Sequence, residues 1–445
     1  MPTSLPPGPT GPRLLQTIAI TRRQRPWLER NRRRYGRLFT VNVLGLGQFV
    51  VVSDPVLVRE VFTADPKVLH AGSGSPLGAV LGPNSLLAID EERHMEQRKL
   101  LLPPFHGQRM KGYETLIAAI AAEEIDGWPV GEEIATLPSF MRITLRAILQ
   151  AVFGAHGAEL EELERLIPPY VEMGSKVVGA TFIQRDLGRH SPWGRFLRIR
   201  AELDRRLDEL IDGARRDREL AERIDILSLL LQARHTDGSP MSGEEIRDQL
   251  LTLLAAGHET TAGTLAWAVE RLRRHPQVTA ALVDEIDRGG QDLRDSTIRE
   301  IQRMRPVISF AGRSVMGPSY PLAGYELPRH TRIGLAASLT HFDPELFPRP
   351  DQFQADRFLN VKPETYSWIP FGGGIRRCIG AAFAHMEMDV VLRTLLERVD
   401  LLGEELPDER VRFRGVAHVP AQGGRVRVRA RRVPAGAPAR ELVAA

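Results

Sequence analysis

One buried helix constrains this sequence more than any other feature, because its middle conflicts with its surroundings. Ser242-Gly-Glu-Glu245 has the Ser-x-x-Glu form of a capping box, in which each side chain satisfies a free amide at a helix start. From there a helix is predicted to about Arg274, where His275-Pro276 punctuates it and Pro276 can open the next one. About 30 residues at 1.5 Å each give ~45 Å, enough to cross a domain of this size. The stretch LLTLLAAG is apolar on every side, the pattern of a helix surrounded by protein. Gly257, His258, Glu259, Thr260 and Thr261 interrupt it. Glycine in a helix interior costs about 1 kcal/mol relative to alanine, and an unpaired buried carboxylate costs several more. Either the helix exposes this turn, or the turn is a site.

The chain has 445 residues and one cysteine, Cys378, which excludes an intramolecular disulfide framework and any cysteine-rich zinc or iron–sulfur centre. A reducing compartment is expected. Hydrophobic residues make up 42% and charged residues 26%, near globular averages and against disorder across most of the chain. Length alone allows about three average domains, but no internal repeat or long linker divides the sequence. A single domain over 1–445 is expected, with a loose proline-rich segment at 1–13 and a loose Pro/Ala-rich tail at 433–445. A formal charge of +4 is too small to imply nucleic-acid binding. The one local excess, Arg22 to Arg37 with eight arginines and one glutamate, reads as a solvated or membrane-facing surface. No stretch approaches the ~18–20 apolar residues of a membrane span, and the opening residues lack the pattern of a secretory signal, so a cytoplasmic chain is expected.

The coarse pattern is mainly α with a smaller β region. Leu38 to Val52 reads as strand, turn and strand, and Asp54 to about Arg274 as mostly helical. Leu197 to Arg223 carries leucines and isoleucines at three- and four-residue steps among charges, predicting an amphipathic surface helix.

Phe371-Gly-Gly-Gly-Ile-Arg-Arg-Cys-Ile-Gly380 carries the strongest signal, and a helical stretch follows it. Consecutive glycines permit unusual backbone angles and close approach of a flat ligand. A cysteine at a helix entrance meets free amides and the positive dipole end, which favour the thiolate that binds metals. A lone cysteine is more often a small buried hydrophobe; the surrounding loop reverses that reading.

The loop resembles the signature of the haem-thiolate cytochrome P-450 superfamily, Phe-x-x-Gly-x-Arg-x-Cys-x-Gly, with Phe371, Gly374, Arg376, Cys378 and Gly380 in every fixed position. The resemblance implies the cytochrome P-450 fold, with haem b between the long central helix and the helix after the cysteine. Cys378 would be the axial iron ligand, Arg376 a partner of a haem propionate, and Phe371, Gly372, Gly380 and Ala256 further residues around the cofactor. Ala256 to Thr261 matches the family's oxygen-activation motif, which gives Thr260 the role of holding dioxygen or water and Glu259 that of helping to deliver protons; such chemistry needs a hydroxyl and a carboxyl in a dry site. The match would also explain a polar kink in the helix. His258 is expected to pack or to face a channel.

Other segments resemble the family in the same order. Glu300-Ile-Gln-Arg303 matches its Glu-x-x-Arg, with Arg357 expected as the third member of a buried structural ion network. His94-x-x-x-Arg98 resembles the segment that clamps haem propionates, and Arg313 occupies the place of another propionate-binding arginine. By position, the substrate pocket would draw on Leu254, Ala255, Val307, Ile308 and Phe310, with the segments 71–89, 167–196 and 416–420. Departures are modest: Ala355 stands where proline is common, and His330 where glycine is common in a hairpin turn, a place histidine tolerates better than most residues. The leading Leu5-Pro-Pro-Gly-Pro9 resembles the hinge after the membrane anchor of microsomal members, and no transmembrane anchor is expected here. The wording of the cysteine loop resembles soluble actinobacterial members related to mycobacterial ones.

The resemblance implies a monooxygenase that hydroxylates or epoxidises a lipophilic small molecule with dioxygen and two electrons from outside. The electrons would come from a ferredoxin or flavodoxin with an NAD(P)H-dependent reductase, docking on Arg98, Lys99, Arg109 and Arg377. The alternatives are oxidative coupling or desaturation on the same fold, or a non-catalytic haem-binding, ligand-sensing protein.

Overall fold

The computed structural model describes residues 5–431 apart from 46, 74, 106, 108, 155–156, 180–183, 186 and 404–406, and at 109 and 179 the backbone alone. The expected tail at 433–445 lies outside the described residues, as do the start of the segment 1–13 and parts of the segments 71–89 and 167–196.

The central helix forms where the capping box places it, Gly243–Leu272. Ser242 Oγ accepts the Glu245 N–H at 3.1 Å, and the Glu245 carboxylate accepts the Ser242 N–H at 2.9 Å. Pro276 opens the next helix, Pro276–Asp287. The expected kink is absent as a break, because the helix runs unbroken through Gly257. The polar turn satisfies itself instead: Thr260, Thr261 and Thr264 hydroxyls donate to the carbonyls of Ala256, Gly257 and Thr260, one helical turn back. The Thr136–Phe153 helix, with thirteen buried residues, lies along the central one, where its Thr144 hydroxyl donates to the His258 carbonyl at 3.0 Å.

The predicted surface helix is found as Pro192–Arg216, capped by Ser191 and opened by Pro192. It is shorter at its C-terminal end than the leucine pattern implied, since Asp217 adopts extended backbone. The helix Ala381–Arg398, which follows the cysteine, packs against Arg109–Asp126 and the central helix. One hydrophobic core unites these elements.

A five-stranded sheet forms the other side, in the order Leu38–Val43, Gly47–Val52, Arg332–Ala336, Phe310–Val315, Leu69–His70. The first two strands are the predicted hairpin, paired Leu38↔Val52 to Val43↔Gly47. A separate hairpin, Ser319–Leu322 with Tyr325–Pro328, turns on Ala323 and Gly324, both at positive φ, the arrangement that matches strand twist in a two-residue turn. His330 adopts φ 68°, as its place in a glycine position required. Among the described residues no helix is long and apolar enough to cross a membrane.

Candidate functional site

The site is assembled by the loop before Ala381–Arg398, the middle of the central helix, and the helix Glu91–Leu101. The Cys378 N–H donates to the Phe371 carbonyl at 2.9 Å, which closes the cysteine loop on itself. Trp368 braces Phe371 edge to face at 6.2 Å. Gly372 and Gly374 take positive φ, 67° and 61°. The glycines were expected to admit a flat ligand, yet two of the three meet protein. A Cβ on Gly373 would lie 2.6 Å from the Phe62 ring, and one on Gly374 2.0 Å from the Phe62 carbonyl oxygen. Gly372 and Gly380 alone face open space in this loop.

Cys378 sits in the interior of the chain's packing yet its surface is accessible. Burial pushes its thiol up, against the Gly380 N–H, Arg377 and Arg98, which lower it. Burial outweighs these three groups, so the net direction is upward.

On the central helix, Ala256 is exposed and Thr260, one turn on, is half-buried in an otherwise buried run. These two positions share a face, and Ala255 is half-buried beside them. Leu254 is two residues from Ala256 and so on another face; it belongs to the core rather than to an accessible surface. His258 packs, with its imidazole pushed down to about 4 by burial. Glu259 is buried and accepts 2.8 Å from Arg414 Nε. Burial raises its carboxyl, with Arg414 and Ser175 opposing.

The arginines gather around one acid. Arg376 donates to the Leu86 and Ile89 carbonyls at 3.0 and 2.5 Å and pairs with Asp90. Asp90 also accepts backbone N–H groups of Ala71, Gly72 and Ser73. Burial works against its charge, but these amides and Arg376 hold it below the usual range. His94 is buried with its Nδ1 unpartnered, and burial followed by the charges of Arg376 and Arg98 pushes it down to about 3. Arg313 is buried with Nη2 unpartnered, its guanidinium 5.3 Å over the Phe62 ring, and its pKa falls to about 10 chiefly through burial. Arg98, half-buried near the Cys378 thiol, makes no hydrogen bond or ion pair among the described residues. The Arg376 and Arg313 guanidiniums and the His94 imidazole thus lie near one carboxylate, with Arg98 beside Arg376. Orphaned donors of this kind fit a group carrying two carboxylates.

Glu300, Arg303 and Arg357 form the expected network. Glu300 Oε2 accepts from Arg303 Nε at 2.7 Å and Arg357 Nε at 2.9 Å. Arg303 also donates to the His341 and Pro350 carbonyls, and His341 Nε2 accepts the Ile369 N–H at 2.8 Å. Ala355, in the place of the common proline, accepts from the Ser296 hydroxyl at 2.6 Å.

Val307 packs beside Gly263 and Trp267 of the central helix, and Ile308 is half-buried. Phe310 instead packs against Phe49 of the sheet, 5.4 Å away and edge to face. Lys99 and Arg377 are exposed; the Arg109 side chain lies outside the described residues. Sequence reading missed Asp90 and Arg414, whose partners are 286 and 155 residues away. It also missed Glu387, wholly buried beside Thr261 on the helix after Cys378 and pushed up to about 8 by burial. A carboxylate in an apolar helix, nine residues past the cysteine, was its only signal.

A family model described as Cytochrome P450 matches residues 6–420. The chain belongs to the cytochrome P-450 family. It is 51% identical over 428 residues to the protein named cytochrome P-450 138 of Mycobacterium tuberculosis, covering 96% of this chain and 97% of that one. It is 40% identical over 436 residues to cytochrome P-450 135B1 of the same organism, covering 96% and 92%. Among solved structures, retinoic acid-bound cyanobacterial CYP120A1 superposes with a TM-score of 0.84 at 23% identity, over 96% of this chain and all of that one. The heme domain of cytochrome P-450DA matches at the same TM-score and identity, over 97% and 98%. As a P-450, the chain is a haem-dependent monooxygenase. Its cofactor is haem b on a thiolate, and it requires dioxygen, an organic substrate and redox partners.

Proposed function

We propose that Cys378 is the thiolate ligand and that the enzyme hydroxylates or epoxidises a lipophilic small molecule. The accessible sulfur of the chain's lone cysteine, in a loop that fills every fixed position of the family signature, carries this reading. Bound haem supplies dioxygen activation, and thiolate ligation favours O–O cleavage, a general property of the family rather than of this chain. The chain's own groups do the rest. The Gly380 N–H donates to the Cys378 sulfur and steadies it. His94, Arg98, Arg313 and Arg376 bind the propionates, the two orphaned donors among them gaining partners. The Thr260 hydroxyl, its proton donated to the Ala256 carbonyl, leaves its oxygen free to accept a hydrogen bond from a water held beside the oxygen-binding position. Glu259, raised by burial, holds a proton more readily than a surface glutamate and passes it toward Thr260.

Ala255, Ala256, Val307 and Ile308 offer apolar surface and no charge, which supports a lipophilic substrate. Exposed Lys99, and exposed Arg377 of the cysteine loop, suit an acidic ferredoxin or flavodoxin served by an NAD(P)H-dependent reductase. The chain is taken to act as one haem-holding unit, in keeping with the continuous family match.

The deciding experiment is the spectrum of the reduced, carbon-monoxide-bound protein. A red-shifted Soret band, lost in Cys378→Ala, is expected. Absence of haem, or an unchanged band in the variant, overturns the assignment.

A further inference from the structure

The first part of the helix Arg13–Arg22 is inside out, whereas Ile20 near its end packs against the core cluster that holds Phe39 and Val41. That first part buries its glutamine and exposes its leucines: Gln16 is 5% accessible, whereas Leu14, Leu15 and Ile18 are 57, 61 and 40% accessible. Gln16 is held inward by design. Its amide donates to the Pro9 and Gly11 carbonyls at 3.1 and 2.7 Å, and its carbonyl accepts the Asn42 N–H at 2.9 Å. The rotation of the helix is therefore fixed, and the apolar residues cannot turn inward without breaking three hydrogen bonds. A fourth apolar residue joins them. Leu44, 51% accessible at the tip of the first hairpin, is tied to the helix by its N–H donating to Thr17 Oγ1 at 2.9 Å.

Arginines without acidic partners stand at both ends of this helix and on the next one. Arg13, Arg22 and Arg23 flank the helix, and Arg30, Arg33 and Arg34 are exposed on the next one, Gln24–Tyr35. None of the six makes an ion pair among the described residues, whereas Arg25, Arg32 and Arg37 of the same run bind Glu29, Asp343 and Glu345. The run thus divides into arginines that bind acids of the fold and arginines without an acidic partner, of which Arg34 lies 5.3 Å over the Tyr35 ring.

We propose that this face is a peripheral docking surface for an anionic lipid bilayer. Exposed leucines flanked by arginines without acidic partners are the composition of a helix that lies in a membrane interface, its apolar side chains at the acyl boundary and its cations among anionic headgroups. A second copy of the chain fits poorly, because a two-fold contact would set these arginines against their own equivalents. The leucines stand out from a short helix, so they need a surface that yields to them, and a lipid layer does so without a matching shape. The surface stands on its own geometry and does not rest on the proposed reaction.

The test uses the haem-loaded full chain and sedimentation with vesicles, one set of phosphatidylcholine alone and one with a third phosphatidylglycerol. Binding to the phosphatidylglycerol vesicles, weakened by salt, is expected. Replacing Arg22 and Arg23 by Gln should weaken it roughly 5-fold per arginine. Leu14→Asp with Leu15→Asp should weaken it at least about 10-fold. Both pairs are exposed, and an unchanged carbon-monoxide spectrum reports that each variant is folded. No binding to either vesicle, binding indifferent to both pairs, or a dimer in solution that the leucine variants dissociate would each overturn the proposal.

Discussion

Two clusters of buried charge in this molecule have opposite character. Around Glu300, one carboxylate receives two guanidiniums, and the remaining donors of Arg303 and Arg357 reach the carbonyls of His341, Pro350 and Pro348. Around Asp90, one carboxylate pairs with Arg376 and accepts backbone amides, while His94 Nδ1 and Arg313 Nη2 nearby keep no acceptor and the Arg98 side chain makes no ion pair among the described residues. Burying charge costs several kcal/mol per ion unless partners are supplied. The first cluster supplies them from within and is architecture. The second leaves the cost standing, and a chain that maintains such a conflict does so at functional positions.

Substitutions should separate the two most clearly at Glu300. Glu300→Gln strands two buried guanidiniums and should cost about 3–5 kcal/mol, read by urea unfolding. A loss below about 1 kcal/mol would mean that the trio is not a compensated unit. Next comes Arg313→Met, which removes a cation from the other cluster. Haem-free protein should be as stable as the parent or more so, whereas haem loss to a scavenging apoprotein should quicken about tenfold, the rate equivalent of one charge-assisted bond. Equal destabilisation of the haem-free and haem-loaded forms would erase the distinction.

The last effect is one of pH. His94 titrates at about 3 in the folded protein and at its ordinary value of 6.5 when unfolded. Between these limits the unfolded chain binds the extra proton, so its contribution is fully present above pH 6.5 and is lost as the pH falls toward 3. His94→Gln should make the urea-unfolding stability of haem-free protein fall less steeply over that window. Some slope remains, since His258 and His341 are pushed down to about 4 and 3 and act in the same direction. Glu387, pushed up to about 8, acts in the other, costing stability as the pH rises from 4.5. An unchanged slope in the His94 variant would show that this imidazole does not feel its neighbours.

What the sequence revealed was local. Glu300 and Arg303 stand three apart, His94 and Arg98 four apart, and Ser242 and Glu245 close a box, so helical geometry alone brings them together. The cysteine loop was legible because its fixed residues are contiguous. Asp90 with Arg376 and Glu259 with Arg414 were not, because each pair is joined by the fold across many residues that leave no periodic trace. Leu254, which the resemblance placed in the pocket, is buried in the core, off the face that Ala256 and Thr260 share. The helix Arg13–Arg22 escaped notice since the burial pattern of its first part inverts the rule by which apolar residues are assigned to a core.

The glycines before Cys378 differ in how freely descendants of this sequence could change them. At 373 the obstacle is a side chain, the Phe62 ring; at 374 it is the backbone oxygen of Phe62, together with a left-handed φ. Position 373 is conditionally closed: alanine there becomes admissible only in a lineage that has already shortened Phe62, so the two changes have an obligatory order. Position 374 has no such permissive background, because no replacement at 62 moves a carbonyl oxygen out of the way. Two adjacent and chemically identical residues therefore face different evolutionary futures, one contingent on a partner 311 positions upstream and the other fixed.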